Sequence, residues 1–230
     1  MIGLVPDNVG LYDDLSAFDN SDFYGKLYKC PEERRKKNIE HFLKMLGLWE
    51  SKDARAGSFS KGMKQKLALT RGLVHEPKIL FMDEPTANLD PESAKTVRDF
   101  ILEIKKQGRT IFLNTHNLDE AQRICDRIGI IKTKLLTIGT PEQLRESLSK
   151  PKTEIRLAQV NEPLIEALKK LVPNKIEVSE NKLIIDVLDP DRENPNIIAV
   201  ITKAGGQIRE VTQNVPTLED VYLQIVKETK

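Results

Sequence analysis

Asp83 and Glu84 close a short apolar run, Ile79-Leu80-Phe81-Met82, and are followed by Pro85 and then by Ala87-Asn88-Leu89-Asp90. Adjacent carboxylates at the end of a strand suit metal-assisted attack of water on a phosphate. The strand holds them rigid, Asp83 can support Mg²⁺, and Glu84 can orient or deprotonate a water. Upstream, Ser60-Lys61-Gly62-Met63 opens a helical run; a helix start offers free N–H groups and the positive end of the helix dipole to a phosphate. Downstream, His116 follows the run Thr110 to Asn114, where a side chain can reach a γ-phosphate at the carboxyl end of a sheet. Each piece alone has a plainer reading: two solvated acids, a capped surface helix, a loop histidine. His41 and His75 are given that loop reading, and the three histidines show no metal-ligand spacing.

The elements that must position these groups are legible in part. Ile2 to Val5 reads as a short buried strand stopped by Pro6. Pro31-Glu32-Glu33 starts a helix whose face is Ile39, Phe42, Leu43 and Leu46, closing at Gly47. Ser60 caps a helix that Pro77 stops, Ile79 to Met82 is a strand, and Asp90 caps a helix beginning at Pro91 and closing near Gly108. Thr110 to Asn114 is a strand, Leu118 to Cys125 a helix, Ile128 to Ile131 a strand, and Thr140-Pro141-Glu142 opens a helix reaching about Ser147. Strands alternating with helices predict a mainly parallel sheet. The aromatics between Leu11 and Tyr28 (Tyr12, Phe18, Phe23, Tyr24, Tyr28) read mostly as core.

Ser149-Lys150-Pro151-Lys152 marks a boundary, dividing the chain into 1–150 and 151–230. Beyond it the order β-α-β-β-α-β plus a final helix predicts a small ferredoxin-like α+β domain. Its helices open at Pro163 and at Asn194-Pro195, and Thr217 caps the last, with Asp220 three residues on.

The Ser60 segment, the Asp83-Glu84 strand end, Ala87-Asn88-Leu89-Asp90 and His116, in that order, resemble the nucleotide-binding domain of ABC transporters. The resemblance covers about Met1 to Leu148; the tail, including Pro216-Thr217-Leu218-Glu219-Asp220-Val221-Tyr222, resembles the small C-terminal domain of exporter-type members. It implies a P-loop NTPase-like α/β fold with a helical subdomain at about residues 8–75, and an ATPase working with ATP and Mg²⁺. It further implies Asp83 as metal support, Glu84 as catalytic base and His116 as the switch histidine. Ser60, Lys61 and Gly62 would meet the ATP of an opposing subunit. The signature departs from Leu-Ser-Gly-Gly-Gln: Lys61 replaces the first glycine and Met63 the glutamine. Asp7 stands where the family has a glutamine linking metal and water to the membrane subunit, and Asp90 lies in the loop that crosses the dimer. Implied partners are an integral-membrane permease subunit and a second nucleotide-binding domain, as homodimer or heterodimer. The implied place is the cytoplasmic face of the cell membrane.

One expected motif is absent. A P-loop reads Gly-x-x-x-x-Gly-Lys-Ser/Thr. The only Gly-Lys pair is Gly25-Lys26, which puts Asn20 at the first glycine position and Leu27 at the last. In the family that loop lies upstream of the region matching Met1 to Asp7, so the chain is expected to lack the family's N-terminal third. With the P-loop strand gone from the sheet, the strand Ile79 to Met82 is expected to gain an open edge.

Composition narrows the alternatives. At 230 residues and a formal charge of +1, there is no global electrostatic case for nucleic acid or an anionic membrane. The apolar runs fall far short of the roughly 20 residues of a membrane span. Met1-Ile2-Gly3-Leu4-Val5 shows no basic leader or cleavage pattern, so no secretory signal is expected, and Cys30 and Cys125 read as reduced cytosolic thiols. The runner-up function is a non-hydrolysing partner or regulatory remnant that lends its signature residues in trans. ABC proteins of ribosomes or chromosomes form a third class; tandem copies or long coiled-coil arms would mark them, and neither is visible.

Overall fold

The computed structural model describes residues 2–146, 152–171, 176–214 and 217–228. The chain forms two compact units, Met1–Cys125 and Asp126–Lys230. Most of the boundary segment at 149–152, and the end of the helix at Ser147, lie outside the described residues.

In the first unit, β1 (Ile2–Val5), β2 (Ile79–Asp83) and β3 (Thr110–Asn114) form a parallel sheet in the order β1-β2-β3. The helices are α1 (Ala17–Leu27), α2 (Glu32–Met45), α3 (Lys61–Leu73), α4 (Pro91–Lys106) and α5 (Leu118–Ile124). Alternation along the strands sends Val5, Leu80 and Met82 into a core shared with Phe42, Leu69, Leu73, Val97, Phe100 and Ile104. A β-carbon on Gly72 would lie 2.9 Å from Val5 Cγ2, so this glycine lets α3 pack directly against β1. A second cluster joins Ala17, Ile39, Leu43, Leu67 and Val74 in the helical part.

Several expectations are corrected here. β2 is not an edge strand: it lies between β1 and β3, each of which has one edge without a partner among the described residues. β1 is half-buried, with Ile2 and Leu4 exposed. With Ile79, Phe81 and Phe112 they make one sheet face apolar and open. Helix α1 escaped the sequence reading because the residues it buries are small or polar: Ala17, Asn20, Ser21, Asp22 and Gly25. Such a face shows no hydrophobic periodicity. It is held by Ser16, which caps Asp19 N–H at 2.9 Å, and by Asn20 Nδ2, which donates to the carbonyls of Tyr12, Leu15 and Ser16. Tyr12, Phe23 and Tyr28 are exposed rather than core. His75 lies in the turn after α3 but is buried, stacked 3.7 Å from the Tyr28 ring, while His41, also read as a loop residue, lies inside α2.

In the second unit, β4 (Ile128–Ile131) and β5 (Leu135–Gly139) form an antiparallel hairpin, followed by α6 (Pro141–Glu146). β5 was not read from the sequence, and its pairing departs from the expected parallel pattern. Then come β6 (Lys152–Leu157), α7 (Glu162–Leu171), β7 (Ile176–Ser179), β8 (Lys182–Asp186), α8 (Pro190–Lys203), β9 (Ile208–Asn214) and α9 (Leu218–Glu228). Their antiparallel sheet runs β7-β8-β6-β9, which is the ferredoxin-like order. Its core is Ile155, Leu157, Leu164, Leu168, Leu183, Ile185, Ile197 and Ile201. α8 starts a turn before Asn194-Pro195, because Asp189 caps the N–H groups of Asp191 and Arg192 and Pro190 takes the first helical position. Among the described residues no helix is long and apolar enough to cross a membrane.

Candidate active site

The carboxyl ends of β2 and β3 lie side by side, with Asp83 opposite Asn114. Asn114 Nδ2 donates to Asp83 Oδ1 at 2.6 Å, fixing that carboxylate. The chain then turns sharply: Glu84 has φ +46° and its N–H donates to Asn114 O at 2.9 Å. A left-handed glutamate is costly, of order 1–2 kcal/mol. It is over-determined by what its carboxylate receives. Oε1 accepts from His116 N–H at 2.8 Å and lies 2.6 Å from His116 Nδ1; Oε2 accepts from Thr115 Oγ1 at 3.2 Å. The Glu84 side chain is 20% exposed and the His116 side chain 84% exposed. The Glu84 carboxylate is thus sheltered at the sheet end while the imidazole beside it faces outward. With Nδ1 carrying the proton the ring donates to Glu84, which sets its tautomer.

The second group sits at two helix starts. Ser60 Oγ caps α3 by accepting from Met63 N–H at 3.2 Å. Asp90 Oδ1 caps α4 by accepting from Ser93 N–H at 2.9 Å, and the hydrogen bonds from Ser93 hold the Asp90 carboxyl below its ordinary pKa. A β-carbon on Gly62 would overlap Ser93 Oγ, lie 2.8 Å from Ser93 Cβ and 3.5 Å from Asp90 Oδ2. The start of α3 therefore touches the start of α4, and only glycine leaves room for it. Lys61 is exposed beside them.

The sequence-derived residues thus gather into two sets: Asp83, Glu84 and His116 at the strand ends, and Ser60, Lys61, Gly62 and Asp90 at the helix starts. Asp7, exposed just beyond β1, is hydrogen-bonded to neither set among the described residues. The sequence reading missed Asn114 and Thr115, which hold the two carboxylates. Their polar side chains directly before His116, at the end of an apolar strand, were the available signal. It also missed Glu120, buried, which accepts from Thr86 Oγ1 at 2.5 Å beside the turn after Pro85.

The donors suit magnesium of one kind only. Mg²⁺ keeps several waters and takes one or two carboxylates together with substrate phosphates. Asp83 offers such a carboxylate, while among the described residues no group of three or more His, Cys, Asp or Glu side chains could hold an ion unaided.

The ABC transporter family model matches residues 1–87, and that of the C-terminal domain of DrrA1-3-like ATP-binding proteins matches residues 139–226. The linearmycin resistance ATP-binding protein LnrL of Bacillus subtilis (strain 168) is 30% identical over 233 residues, 99% of this chain and 75% of that one. This chain belongs to the ABC transporter ATP-binding proteins. The Nod factor export ATP-binding protein I of Rhizobium sp. (strain N33) is 31% identical over 226 residues, covering 97% of this chain and 72% of its own. Among solved structures, an ATP-binding subunit of an ABC transporter superposes with a TM-score of 0.58 at 27% identity, over 64% of this chain and 61% of that one. CbiO1 of Clostridium perfringens, part of the ABC transporter complex CbiONQ, gives a TM-score of 0.56 at 31% identity, over 62% and 58%. The chain thus spans about three quarters of the two relatives named here and about three fifths of the solved subunits. ABC ATP-binding proteins are ATPases with a P-loop NTPase-like α/β fold, and the parallel sheet of the first unit is part of that fold.

Proposed function

We propose that this chain is the ATP-hydrolysing half of an ABC exporter that drives a separate membrane subunit, carrying the base, switch and signature residues of a site shared between two nucleotide-binding domains. Glu84 is the base and orients the attacking water; His116 sits on the Glu84 carboxylate and faces the γ-phosphate. Asp83 would hold Mg²⁺ through water, and the ion would supply charge neutralisation at the β- and γ-phosphates. Ser60, Lys61 and Gly62 present the start of α3 to the ATP of the opposing subunit, with Asp90 in the loop between. Asp7, at the end of β1, lies on the route towards the membrane partner. The observation that carries this reading is the Glu84–His116 contact at the ends of two adjacent parallel strands. The export direction rests on relatives named for export or resistance and on the DrrA-like second unit. The place that follows is the cytoplasmic face of a membrane.

A second reading rests on the signature residues themselves, with Ser60 and Lys61 exposed at the start of α3. In it the chain is a non-hydrolysing partner that lends Ser60 and Gly62 to a P-loop-bearing subunit. Both readings predict that the 230-residue chain alone holds MgATP weakly. A charge-assisted hydrogen bond contributes roughly 1.5–3 kcal/mol. Two or three fewer remove about 4–6 kcal/mol, against about 8 kcal/mol for a micromolar site. Calorimetric titration is expected to give a millimolar or weaker Kd; a micromolar Kd contradicts the weak binding that both readings expect of the chain alone.

A further inference from the structure

Glu120 is the third residue of α5, behind the capping Asn117. A glutamate at that position commonly reaches back to the N–H of the cap residue, closing a capping box. Only half of that box is kept here: Asn117 Oδ1 accepts from Glu120 N–H at 3.0 Å. The Asn117 N–H donates instead to Thr115 Oγ1 at 3.0 Å. The Glu120 carboxyl group is thereby released from the helix start and turns inward, leaving the residue 2% exposed. Its Oε2 accepts from Thr86 Oγ1 at 2.5 Å, and its Oε1 is buried with no partner among the described residues. A buried carboxyl oxygen without a donor is costly. The stability of α5 alone favours the outward, box-closing side chain, so the inward turn is explained by what Glu120 holds, which is Thr86.

Thr86 lies in the turn that leaves β2. Within it Ala87 N–H donates to Glu84 O at 3.1 Å and Leu89 N–H to Thr86 O at 3.3 Å, and both Glu84 and Asn88 are left-handed. The turn is gripped by side chains from one neighbouring stretch, residues 115–120: Thr115 and His116 hold Glu84, and Glu120 holds Thr86. The far end of the turn is Asp90, which accepts from Ser93 N–H at 2.9 Å at the start of α4, where Ser93 is pressed against Gly62. The residues at the strand ends and those at the helix starts are thus joined through Thr86.

We propose that Glu120 is a positioning residue: through Thr86 it fixes the turn 84–90 to the His116 stretch, so that a displacement of His116 is passed on to Asp90 and Gly62. What this link does for ATP rests on the site shared between two nucleotide-binding domains; the link itself does not.

The test is amide hydrogen exchange, followed by NMR, on the 230-residue chain as wild type, Thr86→Val and Thr86→Ser. Valine keeps the shape of threonine and removes the donor; serine keeps the donor. Thr86→Val is expected to speed exchange at the Leu89 and Ser93 N–H groups about tenfold, and Thr86→Ser by less than about twofold. The Glu120 and Ala121 N–H groups, which depend on Asn117, should not change. Unchanged exchange at Leu89 and Ser93 overturns the proposal. So does faster exchange at Glu120 and Ala121 instead, or a uniform increase throughout the first unit, either of which leaves Glu120 a merely structural role. Should Thr86→Val fail to fold, the wild-type Thr86 hydroxyl proton decides: slow exchange with water supports the link, and fast exchange overturns it. Exchange is measured without nucleotide, so a failure of the link is separable from a failure of the ATP-site reading, which phosphate release reports.

Discussion

Replacing Gly62 by alanine tests whether the starts of α3 and α4 are pressed together as the structure has them. A methyl there overlaps Ser93 Oγ and comes within 2.8 Å of Ser93 Cβ, an atom fixed to the first turn of α4. Overpacking of this kind costs about 1–3 kcal/mol. Alanine in place of glycine inside a helix returns about 1 kcal/mol, so the single variant loses at most about 2 kcal/mol. The decisive quantity is the coupling with Ser93→Gly, which removes both clashing atoms. In that background only the helix gain remains, so the two backgrounds differ by about 1–3 kcal/mol. Trp49, the one tryptophan, lies in the first unit and reports its unfolding. With a urea slope of about 1–3 kcal/mol per molar, the coupling appears as a midpoint difference of roughly 1 M. A coupling below about 0.5 kcal/mol, within the additivity of separate sites, would refute the contact and with it the grouping of Gly62 with Asp90.

Further outcomes follow from the same coordinates. Burial pushes the His75 pKa below its ordinary value near 6.5, so the unfolded chain takes up that proton first. His75 then stabilises the fold fully above pH 6.5, and its contribution falls as the pH drops below that value; Tm measured from pH 7.5 to 5.0 should decline less in His75→Gln than in the wild type. The open face of Ile2, Leu4, Ile79, Phe81 and Phe112, beside the unpaired outer edge of β3, should make the 230-residue chain self-associate. Sedimentation velocity should show species larger than a monomer that Phe112→Lys reduces; a monomeric wild type at about 100 μM would count against that face being open.

Elements with strong punctuation were legible before any coordinates. Asp90 with Pro91 marks α4, Thr217 with Asp220 marks α9, and the ferredoxin-like order follows from strand and helix alternation. α1 was hidden because it buries amides, hydroxyls and small residues, whose satisfaction by Asn20 and Ser16 depends on tertiary partners. The site was legible as residue types, since Asp83, Glu84 and His116 stand at strand ends that any parallel sheet brings to one side. Its wiring was not: Asn114 and Thr115 matter only because β3 sits next to β2, a pairing that local sequence does not encode.

In the proposed assembly this chain completes an ATP site across a dimer through the start of α3. Its most direct test is the phosphate-release rate of a P-loop-bearing ABC subunit with increasing amounts of the 230-residue chain, wild type or Ser60→Arg. The wild-type chain should raise the rate saturably, and Ser60→Arg should abolish the increase while retaining its fold by circular dichroism. Equal stimulation by both proteins, or none by the wild type, would contradict it.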